Sequence, residues 1–201
     1  TKSNEGDEET LRAAVECCLA LCQATSDDPR TRARASQNMS RLLEEKDALL
    51  TLLTLLSLSH GFYTRFGALQ LLVLLVEHRR LEVQDYVLTA PGGSSSVLQC
   101  LEAAPSSSTE IIRNEALLLL PQLVRDNADI QKIVAFEGAF ERLLDIIVQE
   151  GRIEGGVVVQ DALDGLEALL LQNVCLLYTS PSPREPTRQA EISYAVFCLK
   201  K

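Results

Sequence analysis

Tryptophan is absent from this chain, aromatic residues make up only 4% of it, and its two histidines are His60 and His78. Few aromatic side chains means few of the residues that favour strands, while leucine, a good helix former, dominates the 46% apolar fraction. The histidines lie in different segments and form no HExxH pattern, so neither a zinc-protease motif nor a Ser-His-Asp arrangement is present. There is no P-loop, and Gly92-Gly93 and Gly155-Gly156 are too short to cradle a phosphate. Basic charge is also in deficit. The net charge is −9, and the densest basic cluster, Arg30, Arg32 and Arg34, sits beside Asp27 and Asp28. Nucleic-acid backbones are held by clustered Lys and Arg, so this composition argues against that class of ligand. The longest apolar runs, such as Leu69 to Val76, fall well short of the ~20 residues that a membrane span needs.

What remains points to a helical scaffold without chemistry of its own. The six cysteines (Cys17, Cys18, Cys22, Cys100, Cys175 and Cys198) fit no paired CxxC frame. Cys18 and Cys22 share a helical face, as a metal pair would, but isolated cysteines usually act as small buried hydrophobes. The expectation is a reducing, intracellular compartment, with no metal and no cofactor. Asp161 and Asp164 sit one turn apart like a catalytic carboxylate pair, yet on an amphipathic helix such residues are ordinarily surface charges. No enzyme activity is expected.

Hydrophobic spacing orders the chain into helices with short breaks. Residues 1–9 are polar and acidic and read as a disordered lead-in. Residues 10–32 read as an N-terminal helix and linker, with Asp28 capping a helix that has Pro29 at its first position. Helices are then expected at Arg32 to Leu43, Lys46 to Leu58, Thr64 to Arg79, Val83 to Thr89, Ser94 to Ala103, Thr109 to Arg125, Ile130 to Phe136, Ala139 to Gln149 and Val157 to Gln172. Pro121 lies inside one of them. It removes a backbone hydrogen bond and crowds the preceding turn, which predicts a kink between Leu117 and Pro121. Gly138 reads as a tight turn requiring positive φ.

The helices recur as short, medium and long. Val83, Gln84 and Val87 fall on Ile130, Gln131 and Val134, each 47 positions on. Val97, Leu98 and Leu101 fall on Leu143, Leu144 and Ile147, each 46 on. Arg65, Ala68, Leu69, Leu72, Leu75 and Val76 fall on Arg113, Ala116, Leu117, Leu120, Leu123 and Val124, each 48 on. The last five of these recur 46 later at Ala162, Leu163, Leu166, Leu169 and Leu170. A period of 46–48 with three helices per unit lies in the armadillo range. The fold expected is therefore all-α: an armadillo-like solenoid of about three repeats over residues 33–173, whose units stack because none buries its apolar face alone.

The run EIIRNEALLLLPQLVRDNADIQKIVAFEGAFERLLDIIVQEG, Glu110 to Gly151, resembles the head of the general vesicular transport factor family, the Uso-type Golgi tethers. IQKIVAFEGAFERLLDII is its most specific block. GGVVVQDAL, Gly155 to Leu163, continues it in order, and VQDYVLTAPGG, Val83 to Gly93, matches more loosely. The resemblance covers about Ala33 to Asn173. It implies a cytosolic protein docking on Golgi and transport-vesicle membranes, acting in ER-to-Golgi and intra-Golgi transport before membrane fusion. It implies recruitment by a Rab-family GTPase, contacts with SNARE proteins and golgins, and dimerisation through a coiled coil that this chain lacks. The chain opens on Thr1 and reads as a fragment. Residues 174–201 depart from the family pattern and resemble translated sequencing-adapter sequence; they are expected to be disordered and non-native, which would leave Cys175 and Cys198 without functional meaning.

Candidate partner contacts come from the helix after Gly138. Phe140, Leu143, Leu144 and Ile147 are expected inward, leaving Glu141, Asp145 and Gln149 as an outward stripe, with Ser95 and Gln99 at the equivalent places one repeat earlier. These residues are expected on third helices, which line the concave face of armadillo stacks. An importin-like peptide receptor is the alternative reading. It is weakened by the absence of Trp and by the acidic character of that stripe.

Overall fold

The structure is a computed structural model that describes residues 2–24, 27–45, 47–102, 107–173 and 176. Among these residues there are nine α-helices, one short 3-10 turn and no strand. The α-helices are α1 (Lys2–Cys22), α2 (Pro29–Glu44), α3 (Ala48–Leu55), α4 (Phe62–Thr89), α5 (Gly93–Gln99), α6 (Ser107–Val124), α7 (Ala128–Phe136), α8 (Ala139–Gln149) and α9 (Gly156–Leu170). The 3-10 turn, Arg152–Glu154, joins α8 to α9.

Local signals set most of the helix ends. The Asp28 carboxylate accepts from the Thr31 N–H at 3.2 Å, with Pro29 first in the helix as its fixed φ favours. Asn127 caps α7 by accepting from the Asp129 and Ile130 N–H groups at 3.2 Å. Gly92 and Gly138, 46 positions apart, open α5 and α8 in the left-handed region at φ 69° and 89°. An L side chain there strains against its own backbone, so the turn favours glycine.

α4 is two helices joined across a break. Arg79 leaves helical geometry at φ −139°, ψ 58°, where the sequence spacing separates Thr64 to Arg79 from Val83 to Thr89. At Pro121, where a kink is expected, α6 continues as one helix from Ser107 to Val124 with the proline inside it. Its missing N–H still leaves the Leu117 carbonyl, one turn back, without its helical donor.

With α4 divided at Arg79, the three-helix unit appears three times: α2, α3 and the first part of α4; the second part of α4, α5 and α6; then α7, α8 and α9. The third helices pack side by side, α4 on α6 and α6 on α9, and α1 packs on the other side of α4. Their matched residues form the core: Leu69, Leu72 and Leu75, then Leu117, Leu120 and Leu123, then Leu166 and Leu169 are all at most 4% exposed. The array is an armadillo-like solenoid.

Residues 2–9 of the segment expected to be disordered are helical, since α1 begins at Lys2. Tertiary contacts account for this. Glu8 accepts the Gly61 N–H at 2.8 Å and pairs with His60 at 3.0 Å, and Arg12 lies over the Tyr63 ring. A polar segment with weak intrinsic helicity is held by partners more than 50 positions away, which periodicity does not register. The expected non-native segment 174–201 lies outside the described residues, apart from Leu176.

Candidate functional site

The scaffold is pinned by buried polar side chains that recur with the repeat. Gln84, in the first helix of the middle unit, donates to the Leu123 and Arg125 carbonyls at 2.7 and 2.8 Å, closing the C-terminus of α6. Gln131 does the same one repeat later, donating to the Ala168 and Leu171 carbonyls at 2.9 and 3.2 Å at the end of α9. The Asn127 amide reaches Gln84 at 3.5 Å, and the Asn173 amide reaches Gln131 at 3.1 Å. The last carbonyls of a helix have no intrahelical partner, so each glutamine satisfies groups that burial would otherwise leave orphaned.

Two buried arginines stitch neighbouring units together. Arg65 donates to the Leu56 carbonyl at 3.0 Å and lies beside Cys100. Burial pushes the Cys100 thiol up to about 11 despite that cation. Arg113, at the matching position, pairs with Glu150 of the next unit at 2.5 Å. Arg142 bonds the Glu137 and Gly138 carbonyls at 2.7 and 3.1 Å and extends to Glu102 of the preceding unit at 3.4 Å. These side chains set the stagger of one repeat on the next, and with it the surface the array presents.

The candidate contact residues separate into two groups on that surface. Ser95 and Gln99 lie on α5, and Glu141, Asp145 and Gln149 on α8. Asp145, Gln149 and Ser95 are exposed, and Glu141 and Gln99 are half-buried. Neither Glu141 nor Asp145 makes an ion pair among the described residues. Their expected position on third helices is corrected: α5 and α8 are the medium, second helices, and the third-helix row is formed by α4, α6 and α9. α5 and α8 each pack on α7 and make no extensive contact with each other. The inward set also shifts. Phe140 and Leu143 are buried, but so is Ile146, while Leu144 and Ile147 are only half-buried.

The third-helix row presents a surface of its own that residue spacing does not reveal. Between α6 and α9 runs a groove of about 490 Å3. Its apolar wall includes Leu118 and Leu171, 48% and 50% exposed, with Pro121. Asp161, Asp164 and Glu167 line its α9 side. A second groove, about 580 Å3, lies between the break in α4 and the end of α6, where Arg79, Arg80, Gln122 and Arg125 meet. The legible signal was Leu118: four consecutive leucines at 117–120 cannot all face inward on one helix.

Cys18 and Cys22 are half-buried and buried, and burial raises both thiols above their ordinary range. No group of three or more His, Cys, Asp or Glu among the described residues is arranged to hold a metal. Among the described residues no helix is long and apolar enough to cross a membrane.

A stack of three-helix units with a continuous core and surface grooves defines an armadillo-like scaffold. Comparison with known proteins makes that class specific. The chain is 42% identical over 138 residues to general vesicular transport factor p115 from Homo sapiens, covering 69% of this chain and 14% of that protein. It is 39% identical over 165 residues to Golgin candidate 6 of Arabidopsis thaliana, covering 81% and 18%. It is 34% identical over 169 residues to intracellular protein transport protein uso1 of Schizosaccharomyces pombe, covering 84% and 15%. A crystal structure of Uso1-2 superimposes with a TM-score of 0.74 at 26% identity, over 86% of this chain and 29% of that one. No protein-family model matches the chain. The chain belongs to the Uso-type general vesicular transport factor family, and it spans 14–18% of the length of these three relatives. None of these relatives carries an importin name.

Proposed function

We propose that this chain is a non-catalytic protein-binding scaffold within a vesicle tether, acting in ER-to-Golgi and intra-Golgi transport and in vesicle docking before membrane fusion. The observation that carries the reading is the similarity to general vesicular transport factor p115 across 69% of the chain, on a fold whose described residues form stacked repeats. The protein works in the cytoplasm, peripherally on Golgi and transport-vesicle membranes. Its partners are a Rab-family GTPase, SNARE proteins and golgins, and the longer protein is a homodimer through a coiled coil outside this chain. Residues 33–173 are the tether-head repeats that present the binding surface.

Within that surface, the stripe of Glu141, Asp145 and Gln149 on α8, with Ser95 and Gln99 on α5, contacts a partner. Glu141 and Asp145 have no ion-pair partner among the described residues, so their charge is available to a basic patch. The test is capture of Rab proteins loaded with GTP or GDP on the immobilised chain, repeated with Glu141→Lys and Asp145→Lys together. Binding that depends on GTP and is lost in the double variant supports the site. Binding unchanged by the double variant removes these residues, and no binding of any GTP-loaded Rab removes the GTPase.

A further inference from the structure

The groove between α6 and α9 has a chemistry that neither the core nor the α8 stripe uses. Leu118 on α6 and Leu171 at the end of α9 project from its two sides about half exposed. The apolar area they leave to water, with Pro121 beside them, is the kind of surface that gains on being covered. Asp161, Asp164 and Glu167 follow one another at intervals of three along α9, placing three carboxylates along that wall. One cation, Arg125, lines the groove with them. Among the described residues none of these four groups makes an ion pair; Asp164 accepts a hydrogen bond from Gln160 at 2.7 Å. Burial, and then repulsion from Asp164, holds the Asp161 carboxyl above its ordinary range. The fold holds the two carboxylates one turn apart, with no ion pair to either among the described residues.

We propose that this groove docks an amphipathic helix of a partner protein, one that seats a leucine-sized side chain against Leu118, Pro121 and Leu171 and sets Lys or Arg residues, one turn apart, against Asp161, Asp164 and Glu167. A helix fits because its side chains repeat every three to four residues, the interval at which the α9 carboxylates recur. A groove of about 490 Å3 accommodates side chains from a turn or so of such a helix. A negative wall repels nucleic acid and anionic lipid, which leaves a basic peptide as the complementary ligand. This surface lies on α6 and α9, so the proposal goes beyond the α8 stripe and stands or falls separately from it.

The test uses the whole chain and a fluorescein-labelled synthetic helix of about four turns, with leucines on one stripe and lysines flanking it, read by anisotropy. The comparison peptide has the same composition with the leucine stripe scrambled. The expected result is saturable binding of the striped peptide, weakened about tenfold or more by Asp161→Asn with Asp164→Asn and by Leu118→Glu. A charge-matched control, Asp85→Asn with Glu44→Gln, removes two exposed carboxylates elsewhere and leaves binding within about twofold. Leu171→Asp provides a second apolar test at the helix end, and far-UV circular dichroism confirms that each variant keeps its helices. Equal loss in the charge-matched control, equal binding of the scrambled peptide, or no binding of the striped peptide overturns the proposal.

Discussion

The middle and last repeats carry nearly the same residues at matched positions and bury them differently. Leu117 and Val124 on α6 are fully buried, while their counterparts Leu163 and Leu170 on α9 are only partly so. Leu98 and Leu101 of the middle unit are 1% exposed, and their counterparts Leu144 and Ile147 are half-buried. The difference lies in neighbours. Among the described third helices, α6 packs between α4 and α9, whereas α9 packs on α6 alone. Polar clamps behave otherwise, because Gln84 and Gln131 close carbonyls within their own units and are both buried. Apolar burial is thus a property of the stack, and helix closure is a property of the unit.

The largest expected contrast follows directly. Leu117→Ala leaves a cavity in a packed row and costs about 3–4 kcal/mol, whereas Leu163→Ala costs about 1 kcal/mol, as read from urea unfolding. Equal costs would break the comparison. The clamps should show no such asymmetry: Gln84→Ala and Gln131→Ala each orphan helix-end carbonyls and each lose about 2 kcal/mol. A loss confined to Gln84 would mean that the clamp, too, depends on stacking. Smaller again is the glycine pair. Gly138→Ala and Gly92→Ala both force a side chain into the left-handed region at about 1 kcal/mol. Gly138 should cost slightly more, since an added Cβ would meet Arg142 Nη1 at 3.0 Å, whereas at Gly92 nothing lies within 4 Å.

The smallest effect is a pH dependence in α1. Hydrogen bonds from His60 and then from Gly61 hold the Glu8 carboxyl below its ordinary range. A carboxyl depressed on folding adds stability that is complete above its unfolded pKa and disappears as pH falls through the lower folded value. Protection of α1 amides should therefore decline on acidification in the wild type, and less steeply in Glu8→Gln. Parallel profiles would show that Glu8 does not hold α1.

The repeat was legible because it is written in leucine spacing. Leu69, Leu117 and Leu163 align on spacing alone, and Gln84 matches Gln131 in sequence without its role being visible there. Periodicity showed which residues recur but not which helix of a unit faces which neighbour. Spacing alone therefore assigns Ser95, Gln99, Glu141, Asp145 and Gln149 to third helices, whereas they belong to second ones. The α6–α9 groove was not legible for the same reason: Leu118 and Asp161 lie 43 positions apart and meet only through stacking. The helix from Lys2 was hidden because its support comes from His60 and Gly61.

Amide hydrogen exchange followed along the whole chain tests the stacked-repeat account most directly, because it reads the local stability of every helix in one experiment. Exchange should be slow in α6 and in α4 before Arg79, each packed between two neighbours, with protection falling towards α9 and α8. Uniform exchange across α6, α8 and α9, or greater protection in α9 than in α6, would contradict it.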